Sequence, residues 1–378
     1  MFIHSFRIFT LNKFDIKVDP SWLIIAALVT WSLSRQYFPS VLPDRTPSLY
    51  LTLAVIAMAG LFASLLLHEL SHSVVARRLG VPINSITLFL FGGVAEMETE
   101  PPSANVEFWI AIAGPAMSFA LAIGFWSLVQ ISALAGAAPP FLALLSYLAL
   151  INLVLGLFNL VPAFPLDGGR LLRAYIWQRN GDLLAATRAA AFSGTLFAYL
   201  LMGVGVMTLF QGDMASGLWF LMIGSFVLIA ARASYTSQLT QAVFKGKMVA
   251  ALMSSPPVTA SPEMTLAALV NQIMLSRSVT FVPVMDGDVL LGHIDQSVLS
   301  RMEREHWANT RVGDVFIGLE AEAMVDPDMT VSELLDIIRN TGRRKFLVVR
   351  DHTLLGVITL SDLTRYLSLS GLTGTQGL

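Results

Sequence analysis

The chain has 378 residues, of which 55% are hydrophobic and only 13% charged, with a mean hydropathy of +0.67. Soluble domains carry about 25% charged residues, so a wholly soluble protein is excluded. A formal net charge of −2 gives no basis for binding nucleic acid, and the absence of cysteine excludes disulfides and thiolate ligands, leaving His and carboxylates to hold a metal.

Residues 20–235 are mostly long apolar runs, whereas 245–378 have ordinary soluble composition, so a membrane domain precedes a polar one. The N-terminal arm is a charged stretch of mixed sign, with His4 as an interfacial residue, and no cleavable signal is evident after it. About six spans of sufficient apolar length are expected, near 20–38, 49–76, 106–131, 141–166, 189–211 and 215–233.

The second span opens with nineteen uncharged residues, 49–67, and then reads His68, Glu69, Leu70, Ser71, His72. Residues four apart share a helix face, so both imidazoles can grip one metal ion. Glu69 then sits beside an open coordination position, where it can take a proton from water. Ionisable groups at this depth are costly and mark function.

Between the second and third spans, residues 81–97 are too short to cross and rich in β-formers, ending near Gly92 and Gly93. They read as strands dipping into the membrane edge, open to two uses: an edge for an extended substrate, or a structural hairpin. The fourth span ends in Asn159, Pro162, Pro165, Asp167, Gly168, Gly169 and Arg170, where the prolines and the glycine pair are expected to break the helix. Irregular backbone at that depth requires burial or a water-filled cavity.

Basic residues fix an orientation. Arg7, Lys13 and Lys17, then Arg77 and Arg78, then Arg170, Arg173, Arg179 and Arg188, then Lys245 and Lys247 share one side, against Arg35 and Arg45 on the other. Both termini are therefore expected in the cytoplasm. His68 lies nine residues before Arg77, or about 14 Å below that border, and Asp167 lies just before Arg170. Two independent counts thus bring a carboxylate level with two imidazoles, as a third ligand. The alternative for Asp167 is a helix-end residue facing the cytoplasm.

Residues 245–378 hold an internal repeat offset by 64 to 65 residues. Ser261, Phe281 and Leu291-Gly292 recur as Asp326, Phe346 and Leu355-Gly356, each with its flanking pattern. Each unit reads as helix, strand, turn, strand, helix, with amphipathic helices at 266–275 and 331–340. His293, His306 and His352 share no ligand spacing, and Arg343, Arg344 and Lys345 read as a solvated turn.

The motifs resemble the site-2 protease family of intramembrane zinc metalloproteases. The likeness runs over about 60–175 in the family's order: His68-Glu69-x-x-His72, Gly92-Gly93, Ala113-Gly114-Pro115, and Asn159-x-x-Pro162-x-x-Pro165-x-Asp167-Gly168. It implies a polytopic α-helical membrane protein with zinc on His68, His72 and Asp167, and Glu69 as general base and acid. It further implies that Asn159 holds or polarises the carbonyl of a transmembrane protein substrate. Two positions depart from the pattern: Ser71 stands where many members have Gly, and Ser118 where Asn is frequent, which puts a polar contact from that position in doubt.

The C-terminal pair looks like a soluble α/β tandem of cystathionine-β-synthase-type (CBS) domains, which in many proteins bind adenine nucleotides and pair as dimers. Only the second unit keeps the ribose-contact pattern, through Thr359 and Asp362; the first has Asp295 and Val298 instead. One nucleotide site at most is expected, with a structural or dimerising tandem as the alternative. The domains are read as 1–240, 245–310 and 311–378. Against the protease stand a CBS-regulated metal transporter and an inactive client-binding scaffold.

Overall fold

A helix whose interior is apolar has no sequence reason to stop except at its caps, and the caps here set the architecture. In the computed structural model, which describes residues 5–11, 14–89, 92–97 and 100–373, Thr46 caps helix α3 (Pro47–Arg78) by accepting from the Leu49 N–H at 3.4 Å, with Pro47 at the first helical position. Ser103 does the same for α4 (Ala104–Leu134), and Asp182 for α7 (Leu183–Phe210). Helices α5 (Pro139–Asn159) and α8 (Met214–Phe244) complete a set of five that are long and apolar enough to cross a membrane. At 32 residues, α3 runs about 48 Å, ending on Arg77 and Arg78, whose charges suit a helix C-terminus.

The expected count of six is not met by this measure. Residues 21–41 are helical but divide into α1 (Ser21–Ser32), a π-helical turn (Leu33–Tyr37) and the short α2 (Phe38–Val41). Pro39 has no N–H to give to the ladder, which accounts for the wide turn before it. The fourth span also ends earlier than expected, at Asn159 rather than 166. An irregular stretch holding Pro162 and Pro165 follows, and α6 (Asp167–Asn180) begins at Asp167 itself. Gly168 and Gly169 therefore start a helix instead of breaking one. They must be small because the preceding loop folds back over them: a Cβ on Gly168 would lie 2.3 Å from the Leu160 and Val161 carbonyl oxygens.

The N-terminal arm, expected only as a charged stretch, forms strands β1 (Phe6–Leu11) and β2 (Phe14–Val18). Phe14, Ile16 and Val18 are buried while Asp15 and Lys17 between them are less so, a period of two. With β3 (Ile83–Phe89) and β4 (Gly92–Met97) they make one sheet in chain order, with β2 and β3 parallel and the other pairs antiparallel. The strands expected over 81–97 are thus present. The sheet packs its apolar face on α3 and α4 through Ala76 and Ile110, and the Arg77 guanidinium lies 3.6 Å over the Phe14 ring.

The chain divides into two units at Thr236 and Ser237. The second repeats one design twice. A helical stretch beginning with α9 (Leu266–Ala268) and continuing to Leu275 precedes β5 (Phe281–Asp286), β6 (Val289–Asp295), α10 (Gln296–Ser300) and β7 (Ile317–Gly318). Then β8 (Met324–Val325), α11 (Val331–Thr341), β9 (Lys345–Arg350), β10 (Thr353–Thr359) and α12 (Leu360–Thr373) follow. Each half has a three-stranded sheet, ordered β5-β6-β7 and β10-β9-β8. Phe281 and Leu290 of the first half pack with Leu347 and Val357 of the second.

Candidate metal centre

His68 and His72 project from one face of α3 and are 2% and 5% exposed; Asp167, the first residue of α6, is 8% exposed. Their ligand atoms converge. His68 Nε2 and His72 Nε2 each stand 3.1 Å from Asp167 Oδ2, and 3.3 Å from each other. Among the described residues these three form the group able to hold a metal ion.

The outer nitrogens are engaged from α4. His72 Nδ1 lies 2.6 Å from the Ile110 carbonyl oxygen, and a carbonyl only accepts, so Nδ1 carries the proton and Nε2 keeps its lone pair. His68 Nδ1 lies 2.8 Å from Ser118 Oγ, an arrangement that aims Nε2 inward in the same way. Such second partners hold ring orientation and ligand basicity. The contact from Ser118, doubted on the sequence because Asn is frequent there, is therefore made; a hydroxyl reaches the ring as an amide would.

Three lone-pair sites this close repel one another unless a cation lies among them. Tetrahedral ligands about 2.0–2.1 Å from zinc stand about 3.3 Å apart, which matches the observed 3.1 to 3.3 Å. Gly114 of α4 leaves the space: a Cβ there would come 2.1 Å from His72 Nε2 and 2.6 Å from His68 Nε2. Two nitrogens and one carboxylate oxygen are a zinc donor set of the kind that leaves a fourth position open. The residues fit the metal.

Glu69 faces the sheet. A Cβ on Gly93 would lie 2.4 Å from Glu69 Cγ and 2.8 Å from Oε1, so β4 runs directly against the general-base candidate. Ser71 spends its hydroxyl on the Leu67 carbonyl at 2.7 Å, away from the cluster. Asn159 ends α5 with its amide donating to the Leu155 carbonyl at 3.1 Å, engaged by its own helix rather than by the cluster.

Two polar pairs escaped the sequence reading. Asn152, buried in α5, donates to Ser64 Oγ at 3.0 Å, one turn before His68. Glu107 of α4 is fully buried and paired with Arg173 of α6. The available signal was a carboxylate at the edge of an apolar run, costly unless paired, but nothing in the sequence named its partner 66 residues away.

In the second unit, Thr359 and Asp362 satisfy each other at the start of α12. Thr359 N–H and Oγ1 donate to Asp362 Oδ2 at 2.9 and 2.7 Å, and Asp362 N–H donates back to Thr359 Oγ1 at 3.3 Å. Asp295 caps α10 through Ser297 and pairs with Lys345 Nζ at 3.2 Å, which together with hydrogen bonding holds its carboxyl below the usual range against the effect of burial. Arg343 pairs with Glu320. The segment read as a solvated turn is thus partly tied down, because Lys345 opens β9 and Arg343 reaches a carboxylate.

The profile of Peptidase family M50 matches residues 56–136 and 127–204, and that of the CBS domain matches 249–301 and 314–369. The chain is 37% identical over 359 residues to Rip3 of Mycobacterium tuberculosis, named as a zinc metalloprotease, covering 93% of this chain and 90% of that one. It is 32% identical over 309 residues to a zinc metalloprotease of Methanocaldococcus jannaschii, covering 82% of this chain and 84% of that one. Among solved structures, the site-2 protease of M. jannaschii matches with 31% identity and a TM-score of 0.44, over 61% of this chain and 95% of that one.

Proposed function

Because this chain belongs to peptidase family M50, we propose that His68, His72 and Asp167 are the zinc ligands and Glu69 the general base and acid of its reaction. The chain is an intramembrane zinc metalloprotease with a C-terminal CBS pair, a multi-pass membrane protein that acts on membrane-protein substrates. The observation that carries the ligand assignment is the convergence of two Nε2 atoms and one Oδ2 within 3.3 Å on two helices.

His68, His72 and Asp167 would hold zinc there, and bound zinc would supply Lewis acidity toward a peptide carbonyl and a water pKa lowered to about 7. The residues supply the rest. Ile110 and Ser118 hold both imidazoles with their lone pairs inward, and Asp167 completes the set from α6. Glu69 accepts the proton of the attacking water and returns it to the leaving amine. A helical substrate shields its carbonyls in intrahelical bonds, so it unwinds before cleavage, which favours segments with Gly, Pro, Asn or Ser near the cut. β4 ends the sheet next to Glu69 and offers an edge on which an unwound strand can pair. Asn159 gives one amide N–H to the Leu155 carbonyl, and its second N–H is the one that would steady the substrate carbonyl.

The basic-residue count supports both termini in the cytoplasm. Domain boundaries of 1–240, 245–310 and 311–378 follow the composition shift and the repeat. The CBS pair modulates activity, with adenine nucleotide at Thr359 and Asp362 and a homodimer through the tandem.

The test uses the full chain in lipid nanodiscs with a transmembrane substrate. One zinc per chain and chelator-sensitive cleavage are expected. Glu69→Gln should keep the zinc and lose cleavage; normal cleavage by that variant removes Glu69 from the mechanism. Titration of the same preparation with ATP, ADP and AMP tests the tandem, and no heat with any of them disposes of the nucleotide site.

A further inference from the structure

Arg173 lies six residues after Asp167 on α6. Its guanidinium donates to Glu107 Oε1 through Nε at 2.7 Å and also through Nη2. Glu107 is 0% exposed in the first turn of α4. Its Oε2 has no hydrogen-bond partner, and the Arg170 Nε stands farther off, 3.9 Å from Oε1. Among the described residues this carboxylate is held at Oε1, by two donors of Arg173 and by the more distant Arg170.

Net stability is a weak reason to keep such a pair, since desolvation consumes most of what attraction returns. Its location offers a better one. Three residues beyond Glu107 is Ile110, whose carbonyl holds His72; seven beyond is Gly114, against both rings; eleven beyond is Ser118, which holds His68. α4 is therefore the frame for the imidazoles, and α6 carries the carboxylate. α6 has only 14 residues and follows an irregular loop, so apolar packing alone would let it roll about its axis and swing Asp167. Two directed donors converging on one carboxylate oxygen fix the pose of the planar guanidinium, and with it the roll of α6, where the single point charge of a lysine would not.

We propose that Glu107 and Arg173 are positioning residues that lock α6 onto α4 and so set the Asp167 carboxylate in register with the two imidazoles. This rests on His68, His72 and Asp167 being the zinc ligands.

The test uses full-length protein in nanodiscs, stripped of metal, with three readouts: zinc affinity by chelator competition, the visible spectrum after cobalt loading, and the thermal midpoint. The double variant Glu107→Leu/Arg173→Met removes both charges of the pair at once, leaving Glu100 and Arg170 as the charges beside them, and is expected to keep the fold. Its zinc affinity should fall roughly 10- to 100-fold, the range seen for outer-shell changes, with a shifted cobalt spectrum. Arg173→Lys keeps the charge but loses the planar guanidinium, and should fall between it and the wild type. A folded double variant with wild-type affinity and spectrum overturns the inference; if it does not fold, an unshifted spectrum in Arg173→Lys does so. His68→Ala separates the two claims. If it retains zinc, the ligand assignment fails; if it loses zinc while the double variant keeps it, only the lock fails.

Discussion

The metal centre and the helix starts of the C-terminal unit are built from the same kinds of side chain, yet they are wired in opposite ways. Thr359 and Asp362 turn their polar atoms on each other, and Asp295 is claimed by Ser297 and Lys345. At His68 and His72, partners hold only the outer nitrogens, and both Nε2 atoms are left converging on one carboxylate oxygen. Reciprocal satisfaction makes a cap. Lone pairs held inward by outside partners make a place for a cation.

The comparison breaks most visibly at the ligands. Asp167→Ala should take zinc from one per chain to none and cleavage below detection, measured by metal analysis and a substrate assay; retained zinc would show that the lone pairs do not converge for a metal. Gly114→Ala should come close behind, since its methyl would enter the space 2.1 Å from His72 Nε2, and wild-type zinc content there would contradict the geometry. Ser118→Ala sharpens the role of outside partners. It strips one hydrogen bond from His68 while leaving all three ligands, and zinc affinity should fall about 10-fold or more, read by chelator competition.

The C-terminal unit supplies the smaller effects. Thr359→Val should cost about 0.5–2 kcal/mol as a lost helix cap, seen as faster hydrogen exchange in α12, with zinc content unmoved. His293 is buried on β6 against the Phe281 ring, its Nδ1 without a hydrogen-bond partner. Burial pushes its pKa below the ordinary 6.5, with Asp295 and Glu320 pulling upward and Arg343 and Lys345 pushing down. The unfolded chain then binds the proton more readily, so stability is full above about pH 6.5 and declines as pH falls through and below that value. His293→Phe should flatten the decline, followed by hydrogen exchange in β5 and β6 between about pH 7 and 5.

What could be read from the sequence was whatever lay within one element or repeated. His68 and His72 share a helix face at a fixed spacing, prolines punctuate the approach to Asp167, and the C-terminal repeat shows its own period. The first span was harder to read because the apolar run of 20–38 stops just short of Pro39, whose missing donor acts back on the turn before it. The strands at Phe14–Val18 carried a period of two, but Asp15 and Lys17 made the segment look merely charged. Ser118, and the pairing of Glu107 with Arg173, depend on helices meeting across 50 and 66 residues. No local pattern encodes such a meeting.

Zinc K-edge absorption of the purified full-length protein tests the central claim most directly. The account predicts a first shell of two imidazole nitrogens and carboxylate oxygen at about 2.0–2.1 Å, with the oxygen contribution reduced in Asp167→Ala if any metal remains. A wild-type shell without two imidazoles, or one that Asp167→Ala leaves unchanged, would contradict it.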